Sequence, residues 1–105
     1  MADTFEARVA ARIEYMLAGC REAGAFATLD GRVYEDVAAQ LIGRSPGTLA
    51  NWRSSMDADA PPFYRNRGGR VMYCIRELAA WVERDRIDPH ERSRAFTTGP
   101  RWNGQ

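Results

Sequence analysis

The sequence predicts a single, mainly α-helical domain that carries one small β-hairpin. Three observations lead there. Apolar residues recur at helical spacing in four separate stretches. Gly43 followed by Ser45-Pro46 divides two of those stretches by a tight turn. The segment FYRNRGGRVMY sets two short β-prone runs on either side of paired glycines. A chain of 105 residues holds one modest core, not two.

The first helix is expected over residues 1–24, where Asp3 followed by Glu6 has the form of a capping box. Phe5, Val9, Ile13, Met16, Leu17 and Cys20 mark one face. Glu6, Arg8, Arg12, Glu14, Arg21 and Glu22 mark the other, and Gly24 ends the helix. Packing onto its own domain as an extra core helix is the expectation, with dimerisation as the alternative. Residues 25–33, AFATLDGRV, place Asp30-Gly31 between short apolar runs. A short strand pair and a tight turn into the next helix suit that pattern equally.

The chain is organised around residues 34–53, YEDVAAQLIGRSPGTLANWR. Val37, Ala38, Leu41 and Ile42 give a short amphipathic helix, and Gly43 supplies the left-handed conformation that ends it. Ser45 is a good N-cap and Pro46 suits the first helical position, so a second helix starts at once. Leu49 and Trp52, three apart, form its buried face. Small Ala39 lets the two helices approach, which makes the unit a helix-turn-helix. Arg44 stands where such a turn usually buries an aliphatic residue. It must point outwards, which leaves open a looser turn or a contact with a phosphate.

Residues 54–62, SSMDADAPP, read as a loop, with Pro61-Pro62 favouring an extended entry into the hairpin. In the hairpin, Gly68 and Gly69 supply the positive φ of the turn, and Arg65, Arg67 and Arg70 cluster at its tip with no acid among them. A last helix puts Ile75, Leu78, Trp81 and Val82 on one face and Arg76, Glu77, Glu83 and Arg84 towards water. Asp88-Pro89 should end it, leaving 89–105 as a flexible tail with Phe96 and Trp102.

The formal charge of +1 hides a strong division. Residues 1–43 hold four Arg against seven Asp and Glu; residues 44–76 hold six Arg against Asp57 and Asp59; residues 77–105 hold five of each sign. Positive charge is thus concentrated on the segment that starts at the helix-turn-helix turn, as a polyanion-binding surface requires. Cys20 and Cys74 lack metal-ligand spacing and read as reduced core residues. No apolar run is long enough for a membrane span, and no charged-then-apolar leader opens the sequence. A cytoplasmic address is the expectation.

Taken in order, the helix-turn-helix, a proline, Gly-Arg-hydrophobic-x-Tyr and acidic-Leu-x-x-Trp form a set. It resembles the excisionase-like and MerR-like winged helix-turn-helix DNA-binding domains of phage and mobile-element type. The matching residues are Gly43, Ser45, Thr48, Leu49 and Trp52, then Pro62, Gly69-Arg70-Val71-Met72-Tyr73, then Glu77-Leu78 and Trp81-Val82. The match covers about residues 33–84, inside an expected domain of 25–88. It implies a recognition helix in the major groove of double-stranded DNA and a wing on the backbone or minor groove. The few residues after Trp81 cannot supply the long dimerisation helix and ligand site of effector-sensing MerR proteins. Excisionases, phage regulators of transcription and small terminase subunits are therefore the closer comparison.

In helix-turn-helix geometry Ser45, Pro46, Gly47, Ala50, Asn51 and Ser54 face the groove. Asn51 alone among them is suited to read a base edge, pairing with adenine. Ser45 and Thr48 suit a phosphate at the helix start. Arg44 and Arg53 would neutralise phosphates, and Arg65, Arg67 and Arg70 would enter a narrow minor groove. Such short readers imply modest specificity, recovered by a dimer, by a cooperative array, or by a recombinase or terminase partner held through the first helix or the tail. A protein-interaction adaptor on the same scaffold is the rival. An enzyme is the weakest option: His90 stands beside Pro89 in a polar stretch, and no nucleophile, carboxylate pair or phosphate-binding glycine loop appears. No cofactor or metal is expected.

Overall fold

Burying the apolar stripes of four helices in one core, with α2 and α4 against the small sheet and α1 and α3 packed on those helices, fixes the architecture. The structure, a computed structural model, describes residues 4–85. Its elements are α1 (Phe5–Ala23), β1 (Arg32–Tyr34), α2 (Glu35–Ile42), α3 (Pro46–Ser55), β2 (Tyr64–Arg65), β3 (Val71–Cys74) and α4 (Ile75–Asp85). The strands form one antiparallel sheet in the order β1-β3-β2, with Val33 opposite Tyr73 and Arg65 opposite Val71. The chain is therefore mainly helical with a three-stranded sheet. Asp88-Pro89 and the tail with Phe96 and Trp102 lie outside the described residues.

Sheet residues alternate between faces, so the register sorts them. Val33, Val71 and Tyr73 point into the core, where Met16, Cys20, Ala38, Ala39, Leu49, Ile75, Leu78 and Ala79 meet them. Arg32, Tyr34, Tyr64, Met72 and Cys74 take the opposite face. Cys74 is accordingly half-buried and outside the central cluster, while Cys20 is inside it, and both thiols are free.

Local signals place the helix ends. Gly43 adopts φ 75°, its N–H bonds to the Gln40 carbonyl, and the Arg44 N–H bonds to the Ala39 carbonyl at 2.8 Å. This paired closure makes the turn tight, so Arg44 points outwards without loosening it. The Ser45 hydroxyl accepts from the Thr48 N–H at 3.1 Å, with Pro46 in the first turn. At the hairpin tip Gly69 takes φ 89°, and the Asn66 side chain accepts from the Arg70 N–H.

Three expectations need correction. Thr4, not Asp3, caps α1, accepting from the Ala7 N–H. Of the two alternatives open for residues 25–33, they form no strand pair of their own: a tight turn closed between Thr28 and Arg32 leads through the short β1, paired with β3, straight into α2. Arg8 and Arg12 do not simply face water: Arg12 donates to Glu83 at 2.8 Å and Arg8 stands 3.4 Å from its other oxygen. Glu83, placed among solvated residues by its spacing, is only 4% exposed between α1 and α4. A carboxylate so buried needs cationic partners, and one turn of α1 supplies them.

Leu49 is the one fully buried residue of α3. Leu49→Ala should lower stability by about 2–5 kcal/mol through the cavity it leaves. Ser54→Ala, on the exposed side, should stay within about 0.5 kcal/mol. Urea denaturation of both variants checks the difference.

Candidate nucleic-acid interface

α3 has two sides with different jobs. Leu49 and Trp52 turn towards the core, and Trp52 packs on Trp81 of α4 at 5.7 Å between ring centroids. Trp81 in turn donates its indole N–H to the Asp59 carbonyl, fixing the loop after α3. Ser45, Pro46, Gly47, Asn51 and Ser54 are exposed, and Thr48 and Ala50 half-buried. Helical spacing puts Gly47, Ala50, Asn51 and Ser54 on one stripe, opposite Leu49 and Trp52. α1 packs against α4 and α2, so it does not cover that stripe.

Beside the start of α3 sits Glu35. Arg53 of α3 donates to it through two nitrogens, at 2.8 and 2.9 Å, and the Tyr73 hydroxyl of β3 donates at 3.0 Å. Burial pushes the Glu35 carboxyl up, but the bonds from Arg53 and Tyr73 and the Arg53 charge outweigh it and hold the carboxyl below its ordinary value. Burial, reinforced by the bond to Glu35, drives the Tyr73 hydroxyl well above its ordinary range. The Glu35 bond raises the Arg53 guanidinium further, so the pair stays charged. Arg53 was expected as a phosphate contact; its fork is instead occupied within the fold.

The remaining arginines are held differently. Arg70 lies over the Tyr34 ring, 3.8 Å from its centroid, and Arg32 lies over Tyr64 at 4.3 Å. Tyr64 itself donates to Glu77 on α4, a bond that raises its hydroxyl above the ordinary value. Arg65 donates to the Gly69 carbonyl at 3.1 Å and stands over Phe63. By register Arg65 shares the face of Val71, and Arg70 follows the face of Met72. Arg67 is exposed at the tip, and Arg44 is exposed in the α2–α3 turn. A cleft lined by Glu35, Asp36, Pro46, Arg70 and Val71 brings Arg70 next to the first turn of α3.

Of the eight residues singled out in sequence, Ser45, Thr48 and Asn51 lie along α3, and Arg70 lines a cleft with Pro46 of its first turn. Arg44, Arg65 and Arg67 are exposed around them, and Arg53 is tied inwards. Sequence reasoning missed Glu35, Tyr34 and Arg32. A glutamate at a helix start reads as a partner of the helix dipole, and nothing local signals its pairing with a residue eighteen positions on. Among the described residues no group of His, Cys, Asp or Glu is placed to hold a metal ion, and no helix is long and apolar enough to cross a membrane. Comparison with family models, curated proteins and solved structures found no match.

The depressed Glu35 carboxyl makes a pH prediction. Its contribution should be fully present above the ordinary value of 4.5 and disappear as pH falls through its lower folded value. Glu35→Gln should therefore be clearly less stable than the parent at neutral pH, with the difference closing below about pH 4. Urea midpoints along a pH series provide the measurement; a gap unchanged down to pH 2 would contradict the ion pair.

Proposed function

We propose that the chain is a small winged helix-turn-helix DNA-binding protein, an excisionase-like or phage-type regulator working in the cytoplasm. α3 would enter the major groove and the β2–β3 hairpin would act as the wing on the backbone or minor groove. One observation carries the reading: among the described residues Gly47, Asn51 and Ser54 of the outward stripe of α3 are exposed, and an arginine-bearing hairpin flanks its first turn. Within the segment itself no acidic residue lies between Asp59 and Glu77, and Glu35 and Asp36 border the cleft next to Arg70.

The roles follow from how each group is held. Asn51 projects from the middle of the stripe and would pair with an adenine edge, a discrimination of about 1–3 kcal/mol. Ser45 and Thr48, at the amino end of α3, would meet a phosphate through their hydroxyls, the Thr48 N–H being taken by the Ser45 cap. Arg67 and Arg70 would neutralise phosphates from the wing, with Arg65 on its other face and Arg44 beyond the turn. Arg53 serves as a positioning residue, setting the tilt of α3 through Glu35. Gly47 and Ala50 are small enough to let the helix backbone approach the groove closely, and they read nothing themselves. Specificity per copy is then modest, and side-by-side copies or a recombinase-type partner would supply the rest.

Binding to a mixed-sequence duplex at low salt, by mobility shift, tests the reading. Arg67→Ala and Arg70→Ala should each weaken binding to all sequences and flatten its logarithmic salt dependence by about one unit. Asn51→Ala should erase preference among sites and leave non-specific affinity near the parental value. If the parent shifts no duplex at low salt, the DNA reading fails and the adaptor reading replaces it.

A further inference from the structure

Away from the core, the sheet presents planar side chains in rows. Tyr34 on β1 and Tyr64 on β2 stand opposite Met72 on β3 from either side, and Arg32 opposite Cys74 makes the next row. Side chains alternate along a strand, so these five share the face opposite Val33, Val71 and Tyr73 of the core. Arg70 lies over the Tyr34 ring and Arg32 over the Tyr64 ring, 3.8 and 4.3 Å from the centroids. Phe26, in the turn before β1, stacks on Tyr34 with centroids 5.8 Å apart and remains 59% exposed. Met72 is buried in the middle of its row, outside the core cluster.

Rings beside guanidinium groups on an open sheet face are the chemistry that meets an unpaired nucleotide. A base stacks on an aromatic ring or an arginine, and its phosphate pairs with the cation. A duplex cannot use such a surface, because its base faces are already stacked on one another. The charges around the face favour a polyanion. Arg32 and Arg70 lie on it, Arg67 is exposed at the hairpin tip and Arg76 at the start of α4. Three carboxylates stand against these four cations. Glu77 accepts the Tyr64 hydroxyl, Asp36 borders the cleft next to Arg70, and Asp30 lies 3.7 Å from Arg32 with its side chain 68% exposed. An ion pair that exposed is weak enough for a phosphate to displace.

We infer that this outer face of the sheet binds a single-stranded nucleic acid. One base stacks on the open side of Phe26, its neighbours lie along the Tyr34 and Tyr64 row, and Arg32 and Arg70 meet the phosphates. The site goes beyond the duplex reading and does not rest on it: none of Phe26, Arg32, Tyr34 and Tyr64 belongs to the stripe of α3.

The test uses the full chain, isotope-labelled for amide NMR, with oligothymidylate and oligouridylate strands of about twelve nucleotides at low salt. Saturable shifts should appear at Phe26, Arg32, Tyr34 and Tyr64 and leave Asn51 and Ser54 in place; the tighter of the two strands names the sugar. A strand of equal length built from abasic sites keeps the phosphates and removes the stacking, and should bind about tenfold more weakly. Phe26→Ala, at an exposed ring, should keep the fold and weaken the thymidylate strand by a similar factor. Arg32→Gln should flatten the logarithmic salt dependence by about 0.7 unit. The proposal is overturned if neither strand moves these amides, if the abasic strand binds as well, or if Phe26→Ala binds equally. It is overturned too if a mixed-sequence duplex moves the same amides as strongly. Movement of those amides with protein concentration alone would assign the face to a second copy, and their movement on Trp102→Ala would assign it to the chain's own later residues; either result also overturns it.

Discussion

Glu35 joins three parts of the chain that sequence keeps far apart. It opens α2, takes both nitrogens of Arg53 on α3, and receives the hydroxyl of Tyr73 on β3. A half-buried carboxylate cannot give up such partners cheaply, and neither can the half-buried guanidinium of Arg53 or the buried phenol of Tyr73. The bidentate geometry also fixes direction, since the planar fork of arginine meets a carboxylate in one orientation. The tilt of α3 against α2 and the sheet is thereby set. What the outward stripe of α3 presents to solvent follows from that tilt.

The same contact changes how the positive charge of the middle third should be counted. Six arginines between residues 44 and 76 are not six equivalent cations. Arg53 has its fork filled by a carboxylate, so its field beyond the fold is largely cancelled. Arg70 and Arg32 lie over the rings of Tyr34 and Tyr64. A ring attracts a guanidinium through its π electrons and, unlike a carboxylate, does not remove its charge. Such an arginine is oriented without being neutralised. The distinction separates arginines that build the surface from those that can still meet an anion.

Local chemistry made much of this legible in the sequence. The Gly43 turn, the Ser45 cap and the Pro46 start each rest on a residue's own conformational preference and appear where it puts them; in the Asn66–Gly69 hairpin Gly69 alone, and not Gly68, supplies the positive φ. Contacts between distant residues were not legible. β1 is three residues long, too short for a periodic signal, and it exists because β3 offers it an edge some forty residues away. Glu83 reads as solvated by its helical spacing, and only the approach of α1 turns that face inward. Met56 carried no warning, because a methionine in the left-handed conformation breaks the rule by which such ends are found. Arg53 failed for the opposite reason: its charge was read correctly and its partner was invisible.

On the proposed DNA-binding reading, the makeup of α3 places selectivity in its surroundings. A helix that reads bases through long side chains holds its backbone off the groove floor and takes specificity from those chains. Here the outward stripe is Gly47, Ala50, Asn51 and Ser54, with one amide able to make a paired contact. Small residues admit the backbone closely but cannot tell one base pair from another by themselves. On the proposed reading, affinity then rests with groups at the rim: the hydroxyls at the start of α3, and the arginines of the hairpin. Rim contacts to phosphate position a protein without informing it of sequence. A domain built this way gains its discrimination from DNA shape at the wing or from neighbours bound alongside. On that reading the chemistry of α3 fits a component of an assembly better than a solitary reader.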